Sequence, residues 1–469
     1  MSDDIAFRTA TDLVAAYSRG ELSPVEATRA VLDRIERLNP AVNAFCLVDA
    51  ERAAQGARDA ERRWHRGQPS GLLDGVPVSI KDVFLTLGWP TLRGSRAIDP
   101  DQPWQEDAPA VARLREQGAV LVGKTTTPEI GWKGVTDSPL TGVTRNPWET
   151  GRTPGGSSGG SAAAIALGMA PLTVGTDGGG SVRIPAAFCG VFGFKPTYGR
   201  IPLYPASPFG TLAHAGPLTR TVGDAALMLD VLSRPDSRDW SALEPPASSY
   251  VGRLNDGVSG LRVAYSPTLG GASVDKEVAA LVQEGVRALA ELGAHVDEVD
   301  PGFQDPVDAL HVLWFSGAAK SVASFPPERR TDLDPGLAEI CEVGARASAM
   351  EYLDATVRRM DLGRHMGVFH ETYDLLVTPA MPILPFTAGQ EVPGGWPSRR
   401  WTSWAPFSYP FNLTQQPAAS LPCGLTGGSL PVGLQIVGPR HADARVLAAS
   451  RALEEARPWA HLRPPLAAG

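Results

Sequence analysis

Ser157 and Ser181 stand 24 positions apart, each set among glycines, and hydroxyls in such settings are candidates for acyl-transfer chemistry. Ser157 lies in TPGGSSGGSAAAIALG, which runs from Thr153 to Gly168. Ser181 lies in VGTDGGGSVRIPAAFCG, from Val174 to Gly190. The three glycines before it, Gly178, Gly179 and Gly180, let the chain turn sharply and bring backbone N–H groups close to a substrate. A tetrahedral intermediate needs such donors, and losing one typically costs ~2.7–4 kcal/mol of barrier.

Two other readings of the Gly-Ser run fare worse. A flexible linker would be flanked by polar segments, whereas this run enters Ala162-Ala163-Ala164-Ile165-Ala166-Leu167, a buried-helix pattern. A nucleotide loop needs a Lys and a Ser or Thr after its last glycine, and Gly160 is followed by Ser161 and Ala162.

A serine hydroxyl is a weak nucleophile without a base. His214, in LAHAGPL, is one candidate, but no Gly-X-Ser-X-Gly elbow surrounds Ser181 and a lone loop histidine is more often structural. Lys81 is the other. It sits in GVPVSIKDVF, an apolar strand-like run where a charged amine is costly. Burial there would pull its pKa down from ~10.4. Taken alone, a salt bridge to the adjacent Asp82 is the better account of this lysine.

The elements that must position these groups alternate along the chain. LSPVEATRAVLDRIERLN reads as a helix, with Ser23 as cap, Pro24 at its first position and Glu26 closing a capping box. NAFCLVDAERAAQGARDAERRW reads as a second helix. GVPVSIKDVF, GAVLVGKT and PLTVGTD read as buried strands, with APAVARLREQG and SAAAIALGMA as helices between them. VSGLRVAYSP and the segment through DEVD read as strand, helix, strand; residues 305–364 are helical, and YDLLVTPAMPILPF and LPVGLQIVGP return to strands. This is an α/β pattern.

The 469 residues, 43% hydrophobic, are ample for a large core. A net charge of −8 with mixed signs speaks against a nucleic-acid or anionic-membrane surface. Four scattered cysteines (Cys46, Cys189, Cys341, Cys423) show no CxxC spacing, and the eight histidines no HExxH, so disulfides and a metal are not expected and no cofactor is. The acidic start, without a signal-length apolar core or a spanning segment, predicts a cytoplasmic protein.

The combination resembles the amidase signature enzymes. GGSSGGSAAA from Gly155 and GTDGGGSVRIPA from Gly175 are similar to that family's two motifs, with the family's serine spacing; Gly75 to Asp82 is similar to its Gly-X-Pro-X-X-X-Lys-Asp strand. GKTTTPE, TRNPWE, GVFGFKPTYGR, AGPLTRTVGDAALMLD and LPVGLQIVGP add to it, over roughly Leu13 to Leu453.

The resemblance implies an α/β amidase signature fold, a large mixed twisted β-sheet covered by helices on both faces, in one domain spanning 1–469. Its parts would be an N-terminal helical part (1–70), a signature core with the catalytic residues (71–230), a helical and loop part shaping the pocket (231–410) and a C-terminal return to the core sheet (411–469). It implies Ser181 as nucleophile, Ser157 as a bridging serine held by a cis peptide bond, and Lys81 as a neutral base. The N–H groups of Gly178, Gly179, Gly180 and Ser181 would bind the oxyanion, and Asp177 and Arg183 would brace the loop. Ser158 and Ser161 are expected to bond loop and helix N–H groups, Cys189 to pack, and Trp132, in EIGWKG, to border the pocket.

The implied activity is that of an amidohydrolase cleaving the C–N bond of linear carboxylic amides, not peptide bonds, through a seryl acyl-enzyme. Its partners would be a small amide and water, and the protein a monomer or homodimer. Of the aromatics between His311 and Phe411 (Trp314, Phe315, Trp396, Trp401, Trp404, Phe407, Tyr409, Phe411) most read as core, but several lie in Pro- and Gly-rich loop sequence and suggest an apolar pocket for aryl or alkyl groups, so anilides, nylon-type oligomers, carbamates and esters are candidate substrates. The alternative is the glutamine-hydrolysing subunit of a tRNA-dependent amidotransferase. Ile184, where those subunits usually carry Gln, and GTLAHAGPL rank it second; Gly178, where many members carry Thr, is a further departure.

Overall fold

The structure, a computed structural model, describes residues 5–468. The acidic first residues of the expected N-terminal part, and Gly469, lie outside the described residues.

The helix Pro24–Val42 starts as its sequence dictates: Glu26 N–H donates to Ser23 Oγ (3.2 Å) and Ser23 N–H to Glu26 Oε2 (2.8 Å). The second helical pattern is divided. Asn43 takes a left-handed φ of 51°, and the Asn39 side chain accepts from the N–H groups of Ala44 and Phe45, which turns the chain into a short strand, β1 (Phe45–Val48). Asp49 then caps the helix Ala50–His65.

The remaining strands are β2 (Pro77–Lys81), β3 (Val120–Thr125), the hairpin β4 (Asp137–Ser138) and β5 (Gly142–Val143), β6 (Leu172–Asp177), β7 (Phe192–Lys195), β8 (His214–Thr219), β9 (Arg262–Tyr265), β10 (His295–Glu298), β11 (Leu375–Pro379), β12 (Ala418–Leu425) and β13 (Pro431–Val437). All but the hairpin form one eleven-stranded sheet in the order β1-β3-β2-β6-β8-β7-β12-β13-β11-β9-β10. It is mixed: β3, β2 and β6 run parallel, as do β11, β9 and β10, and the strands between pair antiparallel. Residues 231–410 are thus more than helices and loops, because they supply β9, β10 and β11.

Alternate residues of a strand face opposite ways, and both ways lead to a core. Val263 and Tyr265 of β9, and Leu375 and Val377 of β11, enter one hydrophobic core, while Ala264 and Leu376 enter another. The helices Val222–Leu232, Lys276–Glu291 and Asp443–Ala456 supply residues to the first. The helices Val307–Ala323 and Pro335–Gly344 do so for the second. The fold is therefore α/β, with a mixed sheet covered on both faces. No helix among the described residues is long and apolar enough to cross a membrane.

Candidate active site

Lys81 is the last residue of β2, which is buried along its whole length. The neighbouring parallel strand β6, paired Ile80 to Val174, ends at Thr176 and Asp177 on the same edge of the sheet. In parallel α/β sheets, ligands bind outside such carboxyl ends. The Lys81 side chain is fully enclosed; its Nζ donates to Ser157 Oγ at 2.6 Å and to Thr176 Oγ1 at 2.8 Å. Burial pushes this amine down to about 7, against a smaller upward pull from Asp177. Asp82, the partner expected from sequence, pairs instead with Lys124 at 3.1 Å. Asp82 lies past the end of β2, in the turn that follows, so its side chain is not tied to the direction of Lys81.

Ser157 precedes the helix Gly159–Ala166, and the Gly156–Ser157 peptide bond is cis. Ser158 N–H donates to the Ser181 carbonyl at 3.1 Å, which joins the two glycine-rich loops. Ser157 and Ser181 open onto the same cavity. Their hydroxyls make no hydrogen bond to each other among the described residues.

The Asp177–Arg183 pair braces the Ser181 loop. Both side chains are fully buried, with Arg183 Nη2 to Asp177 Oδ1 and Arg183 Nε to Asp177 Oδ2 each at 3.0 Å. Burial alone would raise the Asp177 carboxyl; Arg183 first, then Lys195 and Asn412, overcome it and hold the group well below the usual carboxylate range. The Arg183 guanidinium also donates to Asn412 Oδ1 (2.7 Å), Gln435 Oε1 (2.8 Å) and the Ser408 carbonyl (2.8 Å).

One expected oxyanion donor is taken. Gly180 N–H donates to Asp177 Oδ1 at 2.8 Å. The N–H groups of Gly178, Gly179 and Ser181 meet no protein acceptor among the described residues. Ser158 Oγ accepts from Thr176 N–H (3.4 Å) and donates to its carbonyl (3.2 Å), whereas Ser161 bonds the Thr125 hydroxyl (2.7 Å) and no helix N–H. Cys189 is buried beside the Pro154 carbonyl, 3.5 Å from its Sγ. His214 is structural: its Nδ1 lies 2.8 Å from the Leu212 carbonyl, and burial first, Lys195 second, push its imidazole well below the usual range.

The cavity, of about 280 Å³, has walls of Phe84, Tyr204, Phe209, Trp314 and Phe325. Phe209 stacks on Trp314 with centroids 4.2 Å apart. Trp132 does not reach it. That side chain is buried one layer behind, and its carbonyl accepts from Trp314 Nε1 at 3.0 Å. Ile130 and Gly131, just before it, line the cavity instead. Of the aromatics expected between His311 and Phe411, only Trp314 lines it; Trp401 packs edge-on against Trp314, and Trp404, Phe407, Tyr409 and Phe411 are core. Sequence reading also missed Thr176, Asn412 and Gln435. Thr176 carried a signal, its place beside Asp177 in GTD; Asn412 and Gln435, more than 200 residues from Arg183, carried none.

Residues 26–447 match the model of the Amidase family. The chain is 39% identical over 463 residues to an acylamidase of Rhodococcus erythropolis, covering 97% of each. It is 35% identical over 490 residues to one of the subunits of the glutamyl-tRNA(Gln) amidotransferase of Chloroflexus aggregans, covering 99% of each chain. Among solved structures it is similar to a bacterial aryl acylamidase of the amidase signature enzymes, with a TM-score of 0.92, 32% identity and 99% of each chain covered. The chain belongs to the Amidase family and is an amidase signature hydrolase acting on carbon–nitrogen bonds.

Proposed function

We propose that this enzyme hydrolyses linear carboxylic amides carrying an aryl or alkyl group, through a seryl ester on Ser181. The observation that carries the reading is the buried Lys81 amine, 2.6 Å from Ser157 Oγ and shifted down to about 7. A neutral amine accepts the Ser157 proton as Ser157 takes that of Ser181, and Ser181 Oγ attacks the amide carbon. The Gly178, Gly179 and Ser181 N–H groups stabilise the oxyanion. Gly180, with φ 125° and its N–H on Asp177, shapes the turn. Collapse breaks the C–N bond as the proton returns along the relay to the leaving nitrogen. Water, deprotonated along the same path, then releases the carboxylic acid and restores Ser181.

The aromatic walls favour an aryl or long alkyl group over a small amide. Esters of the same acids acylate Ser181 more readily, and carbamates and nylon-type oligomers fit the same walls. A panel of 4-nitroanilides, acetamide and glutamine tests this: kcat/KM on an aryl or alkyl anilide is expected to exceed that on acetamide at least tenfold. A preference for acetamide by orders of magnitude overturns the reading. The second reading, glutamine hydrolysis within a tRNA-dependent amidotransferase, has the 35% identity in its favour; glutaminase activity above anilide turnover would establish it.

A further inference from the structure

The cavity beside Ser181 is lined by two cationic side chains, Arg93 and Lys320, and by no carboxylate. Arg93 is half-buried, and its φ of 54° is a left-handed conformation that few residues other than glycine adopt. Its backbone is tied to the neighbouring loop: the carbonyl accepts from Ile130 N–H at 2.7 Å.

The guanidinium makes no hydrogen bond and no ion pair among the described residues. Asp82 attracts it only from a distance, being held at contact by Lys124. Other enclosed arginines differ. Arg183 bonds Asp177 and Asn412, Arg220 bonds the Arg8 carbonyl, and Arg359 bonds Thr211 and the Leu413 carbonyl. Lys320, exposed on the helix Val307–Ala323, has no ion pair among the described residues.

A half-buried guanidinium without acceptors carries a desolvation cost that a ligand can offset, and its planar fork matches a carboxylate with two parallel hydrogen bonds. The apolar walls suit the body of a ligand, and Arg93 and Lys320 are the charged side chains beside them. We infer that Arg93 binds a carboxylate carried by the substrate at the end remote from the scissile amide, with Lys320 adding charge at the same cavity, so that the preferred substrates are anionic amides with an aryl or alkyl body. This deepens the reading of Ser181 as the acylated residue and rests on it for the word substrate; the anion site itself is a matter of binding.

The test measures binding by calorimetry to the Ser181→Ala enzyme, which keeps intact amides. Two matched pairs are compared: glutaranilic acid with pentananilide, and 4-acetamidobenzoate with 4-methylacetanilide. At least one acid is expected to bind tenfold or more tighter than its neutral partner. Adding Arg93→Met brings that ratio below threefold, Arg93→Lys keeps part of it, and Lys320→Met lowers it about twofold. Arg93→Gln repeats the measurement should the methionine variant melt early. Equal affinities in both pairs, or an acid preference that survives loss of the Arg93 charge, overturn the inference. Labelling of wild-type Ser181 by a fluorophosphonate reports separately on the acylated serine, so the two failures are distinguishable.

Discussion

At the scale of the residue, the proposed relay makes Lys81 the group on which both chemistry and stability turn. Its amine must be neutral to accept a proton, so activity is expected to fall as pH drops through about 7 and to level off above it. Lys81→Met should reduce amide kcat by a thousandfold or more. The same substitution should stabilise the fold. Between about 7 and the ordinary value of 10.5 the unfolded chain binds a proton that the folded one does not, so wild-type stability rises with pH across that window. Below it both states are protonated and the cost of the buried charge is greatest. Lys81→Met is therefore expected to gain a few kcal/mol at pH 7, at about 1.4 kcal/mol per pKa unit, and to lose that gain toward pH 10. Urea denaturation at both pH values checks this; a variant less stable than wild type at pH 7 contradicts it. The family resemblance implies Lys81, Ser157, Ser181, Asp177 and Arg183, and for the two serines, Asp177 and Arg183 it rests on segments where glycines and hydroxyls cluster; from its own segment alone, Lys81 reads as a salt-bridge partner of Asp82. The sequence did not show that Gly180 N–H is spent on Asp177, or that Trp132 faces away from the cavity, since both depend on side-chain directions set by packing.

At the scale of the element, the glycine turn between β6 and the helix Arg183–Cys189 is pressed between two indoles. A Cβ on Gly178 would lie 2.8 Å from the Trp314 ring, and one on Gly179 2.7 Å from Trp401. Gly178→Ala must therefore displace Trp314 and the Phe209 stacked on it. The expected result is a KM for aryl amides raised about tenfold, with a smaller effect on acetamide; equal losses on both would show that the turn, and not the aromatic wall, had been damaged. The same locality explains which strands were legible. β2, β3 and β6 carry valine, isoleucine and threonine runs. β8 and β12 are rich in Gly, Ala and Pro, as in HAGPLT, and are strands because their neighbours pair with them, not because their residues prefer it.

At the scale of the whole molecule, the site is held by residues distant in the chain. Arg183 joins the loop at Asp177 to Ser408 and Asn412 and to Gln435 on β13. Arg183→Met would strand the Asp177 carboxylate in a dry interior, at a cost of about 3–5 kcal/mol by denaturation, with activity falling as the turn loosens. Stability within about 1 kcal/mol of wild type would contradict that brace. The central claim is that a neutral, buried Lys81 arms Ser181 through Ser157. The rate at which a fluorophosphonate labels Ser181, followed from pH 5 to 9, tests it most directly. The labelling rate should rise with pH around a midpoint near 7, and in Lys81→Ala it should be slow and without that step. A rate indifferent to Lys81, or label on a serine other than Ser181, would contradict the account.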